Sequence, residues 1–396
     1  MPSKDLLIAA NTIWVVVAAV LVMFMQAGFA FLEAGLTRMK NAAHIAGKNV
    51  LIFGVCSLVY WAFGFAIAFG DGNAIIGTHG FFPSTNEMLS IGKAPYSFFT
   101  GIPGATGYLF EVVFAGVSLA IVWGAMAERA KLWVYFAFGV VFTLLYSVTS
   151  HWIWHSGGWL FAKGMQDFAG STVVHYQGAL AALAGALLLG PRIGKFGKDG
   201  RANPIPGHNM PYAVLGTIIL WFGWFGFNPG STLGVVTGDR IGYFGYVALT
   251  TNIAAAAGAV AVHGMSGVWG TLATGLFAVP ALASNLATGR GGLVYTGSFH
   301  QLGIQALGLV TVGAFTFSAS FGALWTMKRI WGIRVEPETE TAGLDVSEHG
   351  MWGYPEFYIP VPGGYGTEAH GHLGLAHGPA RAAPVIVADP VPEPSG

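Results

Sequence analysis

Apolar runs of about 20 residues, free of Lys and Arg, recur along most of the chain and predict membrane-crossing helices. The first is Thr12–Leu36, with Gln26 and Glu33 inside it or near its end. A polar link carrying Arg38, Lys40 and Lys48 leads to the second, Asn49–Phe69. The long loop Asp71–Thr106 contains Pro83, Pro95 and Pro103 and precedes the third span, Tyr108–Met126. Glu128-Arg129-Ala130-Lys131 separates that span from the fourth, Leu132–Trp152. The linker Ile153–Gly170 leads to the fifth, Ser171–Leu189. A basic loop with Arg192, Lys195, Lys198 and Arg201 follows, and Pro211–Asn228 is the sixth span. Ser231–Ile241 joins it to the seventh, and His300–Met327 carries the last. Lys328, Arg329 and Arg334 then open a polar tail, rich in Gly, Ala, Pro and His from Gly363 onward, a composition that predicts disorder.

Gly242–Ala281 carries no charged side chain apart from His263. At about 1.5 Å per residue this stretch makes roughly 60 Å of helix, twice the hydrocarbon thickness. It is therefore read as two spans joined by almost no loop, which brings the total to nine. Basic residues support that count. With the N-terminus outside and the C-terminus cytoplasmic, thirteen of the 18 Lys and Arg residues fall on internal segments. A single span over Gly242–Ala281 would put Lys328, Arg329 and Arg334 outside, against the positive-inside rule.

Composition narrows the class. Of 396 residues, 54% are hydrophobic and 9% charged, against about 25% charged in a soluble protein. The 59 glycines suit close backbone packing between membrane helices. A formal net charge of zero leaves no nucleic-acid footprint. The single Cys56 sits in an apolar run and offers neither a disulfide nor a thiolate metal cluster. Met1–Ala10 lacks a basic segment followed by a small-residue cleavage site, so no cleavable leader is expected there.

Candidate chemistry centres on Asp167 through Gly190, a carboxylate in a turn followed by a small-residue apolar helix with His175 well inside it. An ionisable group at membrane depth costs a few kcal/mol on insertion scales and usually faces a partner or a cavity. Read alone, His175 is as readily a buried histidine bonded to a neighbouring helix as a pathway residue. A second Val-His helix, from His263 through Gly275, points to internal duplication, with a site between repeats. Phe110 through Gly116, Trp152-Ile153-Trp154 and Trp221 through Ser231 place three aromatic clusters at the external level with Asp167. Each alone is explained by an interfacial aromatic belt. Together with the Ser231 hydroxyl they would suit a small cation, through cation–π attraction and hydrogen bonding.

The motifs Phe24-Met25-Gln26-Ala27-Gly28-Phe29-Ala30-Phe31-Leu32-Glu33-Ala34-Gly35, Gly124-Ala125-Met126-Ala127-Glu128-Arg129, Asp167 through His175, Phe225 through Ser231, Val262-His263-Gly264 and Gly343 through Gly350 occur in order over Thr12 to Tyr354. In these the chain resembles the ammonium transporter (Amt) family, relatives of the Rh proteins. The resemblance implies an all-α polytopic membrane protein built from two five-helix inverted repeats and a final helix. Here two helices of the second repeat, the eighth and ninth, are missing between Asn252 and His263. The implied organisation is a transmembrane domain over 1–335 and a cytoplasmic tail over 336–396. The first repeat covers about 12–190, the shortened second about 211–281 and the final helix about 300–327.

Carried over by resemblance, Trp154, Phe114 and Ser231 match an external ammonium-recruitment site, and Asp167 the carboxylate that supports it. Phe114 and Phe227 match a stacked phenyl gate, and His175 and His263 the twin histidines of a hydrophobic pore. Glu111 stands where a neutral amide is expected. The implied substrates are ammonium or ammonia, with methylammonium, in a multi-pass protein of the cell membrane. A homotrimer and a PII-type signal protein at the cytoplasmic face are further expectations, and no cofactor or catalysed reaction is implied. A non-conducting ammonium sensor or subunit is the alternative, because the missing pair removes part of the second repeat's wall. A membrane enzyme using His175 and His263 as metal ligands is a weaker one, since two histidines without a nearby carboxylate or cysteine are a poor metal set.

Overall fold

The computed structural model describes residues 3–237, 240–258, 263–280 and 290–355. Apolar segments in lipid must satisfy their backbone internally, and the chain answers with helices. α1 is Lys4–Leu36. α2 is Ala42–Val59 and runs on through a π turn, Tyr60–Gly64, to Phe69. α3 is Gly104–Met126, α4 Leu132–Trp154, α5 Ser171–Leu189 and α6 Met210–Gly230. α7, Tyr243–Gly258, and α8, His263–Phe277, are shorter, and α9 is His300–Ile330. Two short helices follow, α10 at Pro337–Ala342 and α11 at Leu344–His349. Among the described residues, seven segments are long and apolar enough to cross a membrane, and the fold is all-α and polytopic. α7 and α8, of 16 and 15 residues, occupy the places of the two spans read from Gly242–Ala281.

α1 and α6 pack antiparallel along much of their lengths. His208, just before α6, donates from its backbone to Thr37 O at the end of α1, while Val235, beyond the far end of α6, donates to Asn11 Oδ1 near the start of α1. The two backbones nearly touch: a Cβ added at Gly216 would lie 2.6 Å from Gly28 O. Such small-residue seams let membrane helices associate where lipid removes the hydrophobic drive.

The structure changes several sequence boundaries. The second span begins at Ala42, not Asn49, and Lys48 lies fully buried inside it. Glu33 on α1 makes that possible, accepting from Lys48 Nζ at 2.6 Å. The join of the predicted hairpin falls on 259–262, outside the described residues, with α7 described to Gly258 and α8 from His263. Its arms do not pair along their described lengths. α7 lies against α6, while α8 lies against the start of α5 and against α9.

Residues 336–353, read as tail, belong to the same compact unit as the helices, Met1–Gly353. Polar contacts dock them. Asp345 accepts from the backbone N–H groups of Ala43 and His44 at 3.1 and 2.9 Å, a carboxylate at the positive end of α2. Burial pushes the Asp345 carboxyl up from its usual range, against those N–H bonds. Glu340 accepts from Ile193 N at 2.7 Å and pairs with Arg334, which also donates to Leu189 O and Pro191 O. The loop after α5 and the segment after α9 therefore share one face of the protein. Glu128 accepts from Arg38 Nε at 2.6 Å and pairs with Arg192 at 3.3 Å, tying more of the basic loops to that face.

Candidate functional site: an aromatic vestibule above a ring stack

On the opposite face, α3, α4, α6 and the turn before α5 surround a cavity of about 290 Å³. Phe69, Phe98, Phe110, Phe114, Trp154, Phe161 and Phe168 supply its aromatic wall, and Glu111, Asp167 and Ser231 its polar points. Of the three aromatic clusters read from the sequence, each sends part of itself inward. Trp154 lines the cavity, whereas Trp152 points its indole N–H at Ile75 O, at 2.9 Å. Phe222, in the third cluster, is exposed on the outer surface.

The floor is closed by rings. Phe114 and Phe227 are 1% and 0% exposed, with centroids 4.2 Å apart and planes inclined by 31°. Phe110 lies 4.6 Å from Phe114, and the Trp154 ring meets Phe114 edge-on at 6.1 Å. The His175 ring in turn stacks on Phe227 at 5.5 Å and 28°. Phe114, which lines the cavity, Phe227 and the half-buried His175 thus form a chain of ring contacts.

Asp167 sets the turn that aims His175. Its Oδ1 accepts from Gly170 N and Ser171 N at 2.7 and 2.8 Å, and its Oδ2 from Thr172 N and Val173 N at 2.8 and 2.9 Å. Four N–H groups at the start of a helix would otherwise be orphaned. Burial pushes the Asp167 carboxyl up from its usual range, and these N–H bonds pull it back down. Gly170, at φ +105°, supplies the left-handed residue needed to enter the turn. Ser171–Tyr176 is then π-helical, a local form frequent at functional sites. His175 therefore sits in the first turn of α5, not deep within it. Trp154 is anchored to the same turn, its indole donating to Asp167 O at 2.7 Å.

The electrostatics favour a small cation. α6 ends at the cavity, and its C-terminal dipole presents partial negative charge there. Ser231 caps that end and donates its hydroxyl to Phe227 O at 2.8 Å, leaving its oxygen lone pairs free to accept. Across the cavity, Asp167 offsets the positive N-terminal end of α5 that would repel a cation.

The sequence reading missed the residues that brace this site. Thr271 of α8 lies 2.7 Å from the Thr172 hydroxyl and donates to Ser171 Oγ at 2.9 Å. Gln305 of α9 accepts from Gln166 N at 2.9 Å and donates to Gln166 O and Thr271 O at 2.7 and 3.1 Å. An amide and a hydroxyl on otherwise apolar helices were the signal available. A Cβ at Gly267 would come within 2.7 Å of Ser171 O and 2.9 Å of Tyr176 N, so α8 lies directly on the turn that carries His175. His263 opens α8, and its side chain lies outside the described residues.

Comparison with known proteins places this architecture. The profile of the Ammonium Transporter Family matches residues 13–262 and again 257–354. The ammonium transporter Amt2 of Archaeoglobus fulgidus is 37% identical over 425 aligned positions, covering 87% of this chain and 88% of that one. That alignment is longer than the 396 residues present here, so it steps over positions this chain lacks. Among solved structures, a sensor Amt protein superposes with a TM-score of 0.71 at 32% identity, covering 87% of this chain and 100% of the other. Candida albicans Mep2 gives 0.70 at 27% identity, covering 83% and 86%. By its sequence match on both sides of the short join, and by its fold, this chain belongs to the ammonium transporter family.

Proposed function

We propose that the protein carries ammonium or ammonia, and methylammonium, across the cell membrane through the path marked by the ring stack. The cation is recruited between Trp154, Phe114 and Ser231, where ring faces and a hydroxyl oxygen replace part of its hydration. Asp167 supports this site by fixing the turn beneath it. Phe114 and Phe227 form the gate, and its two buried rings must swing for anything to pass. His175 and His263 beyond it handle the proton and the neutral amine in a pore too dry to favour a charge. The observation carrying this reading is the unbroken order of cavity, Phe114, Phe227 and His175. The test is ammonium-evoked current in proteoliposomes. Phe227→Ala and His175→Ala should each alter the current or its proton dependence with normal protein levels. Parent-like currents from both variants would remove these residues from the path.

A second reading, a non-conducting ammonium sensor or subunit, has its own observation. Met265 and Trp269 on α8 are 79% and 60% exposed, so the helix that should complete the pore turns one face outward. We infer that lipid or a neighbouring subunit of a homotrimer covers that face. Specific ammonium binding without current or uptake would favour the sensor. The face that docks α10 and α11 is assigned to the cytoplasm by its basic loops, with the N-terminus outside, and is the place for a PII-type signal protein.

A further inference from the structure

Glu111 is the cavity-lining group whose chemistry remains unused. It lies on α3 between Phe110 and Phe114, is 5% exposed, and borders the vestibule together with Asp167 and Ser231. The other polar groups there are engaged: Asp167 by four backbone N–H groups, and Ser231 through its hydroxyl proton. Glu111 Oε2 is buried without a hydrogen-bond partner, and among the described residues no Lys, Arg or His forms an ion pair with this carboxyl. Buried polar groups are nearly always bonded, and a carboxylate left without a donor in a low-dielectric site is costly. A buried carboxylate oxygen without a partner, in a cavity wall, is an acceptor that lacks its donor.

We propose that Glu111 is a second holding point for a small cation bearing N–H donors. It lies in the vestibule wall, beside the aromatic recruitment site. The inference rests on the ammonium reading above. Ammonium brings four N–H donors and a charge, so it can meet a carboxylate and neutral oxygens at once. A methyl group on the amine removes one donor and adds bulk against a buried wall, so Glu111 should favour ammonium over methylammonium.

The experiment is calorimetric titration of the purified full-length protein in nanodiscs with ammonium, methylammonium and potassium chlorides. It is paired with infrared difference spectra of the carboxylate stretch on adding ammonium. Glu111→Gln preserves shape and removes the charge. It should weaken ammonium binding about tenfold or more, the effect of losing one charge-assisted hydrogen bond. It should also abolish an ammonium-induced carboxylate band and narrow the preference over methylammonium. Glu111→Asp, which keeps the charge and withdraws it by one methylene, should weaken ammonium binding by a smaller factor and shift the carboxylate band, and it decides the matter if Glu111→Gln does not fold. Unchanged ammonium affinity and an unchanged carboxylate band in the variants would overturn the proposal while leaving the recruitment site intact. Equal weakening for potassium would overturn the N–H selectivity. A parent protein that binds no ammonium would overturn both this inference and the reading it rests on.

Discussion

Replacing Asp167 by Asn tests the site at its most connected point. The change keeps size and shape but turns one carboxylate oxygen into an NH2 group. Two of the four N–H donors now held, either Gly170 and Ser171 or Thr172 and Val173, must then face another donor. Each buried donor left unsatisfied costs about 1–3 kcal/mol, so the turn should lose roughly 2–6 kcal/mol. That is a large share of the about 5–15 kcal/mol that holds a typical domain together. Because Trp154 hangs from Asp167 O and His175 rides on the turn, the loss should appear locally first. Hydrogen–deuterium exchange in nanodiscs should show faster exchange at the amides of residues 170–175 while the amides of α1 and α3 are unchanged. The apparent melting temperature should fall, and ammonium current should fall with it. Asp167→Asn with parent-like exchange at 170–175 would refute the claim that the carboxylate holds the turn.

Three further outcomes follow from contacts described above. Gly267→Ala should push α8 off the His175 turn and reduce ammonium current at normal expression, whereas the same change at Gly245, which has open space around it, should be silent in the same assay. Lys48→Met strands the Glu33 carboxylate and should cost about 3–5 kcal/mol in thermal stability, most of it recovered when Glu33→Leu is added. Cysteines replacing Lys198 and Glu338, both exposed, in a Cys56→Ala background should both resist a membrane-impermeant thiol reagent in intact cells. Labelling of both would reverse the proposed orientation, and labelling of only one would contradict the shared face.

Legibility followed the physics of each segment. Runs such as Tyr108–Met126 and Ser171–Leu189 are visible because lipid demands about 20 apolar residues in sequence. Phe114, Phe227, Trp154 and Asp167 were found through their motifs, and the structure brings them together with Ser231 and His175. Phe98 and Phe161 also reach the vestibule, but from a loop and a linker whose return path has no periodic signal. Lys48 was misplaced because a basic residue reads as a boundary until its partner is known, and Glu33 lies on another helix. The docked segment 336–353 read as tail because Glu340 and Asp345 anchor it by polar bonds to backbone N–H groups, which leave no hydrophobic pattern.

The π-helical turn Ser171–Tyr176 has a consequence for insertions and deletions. Gly170 O accepts from both Val174 N and His175 N at 3.0 Å, the mark of a turn holding about one residue more than an α-helix would. Removing any single residue from this turn would let it close as ordinary helix. Because the extra residue is taken up inside the turn, the flanks would keep their phase, and Asp167 and Gly170 would hold the same bearing on Gly178, which is wedged against Ser118 O. What would go is the doubled acceptance at Gly170 O and the widened backbone between it and His175. A one-residue deletion here, even of a plain valine, should therefore leave the flanking helices in place and remove the π form alone, which separates the number of residues in this turn from the identity of its rings.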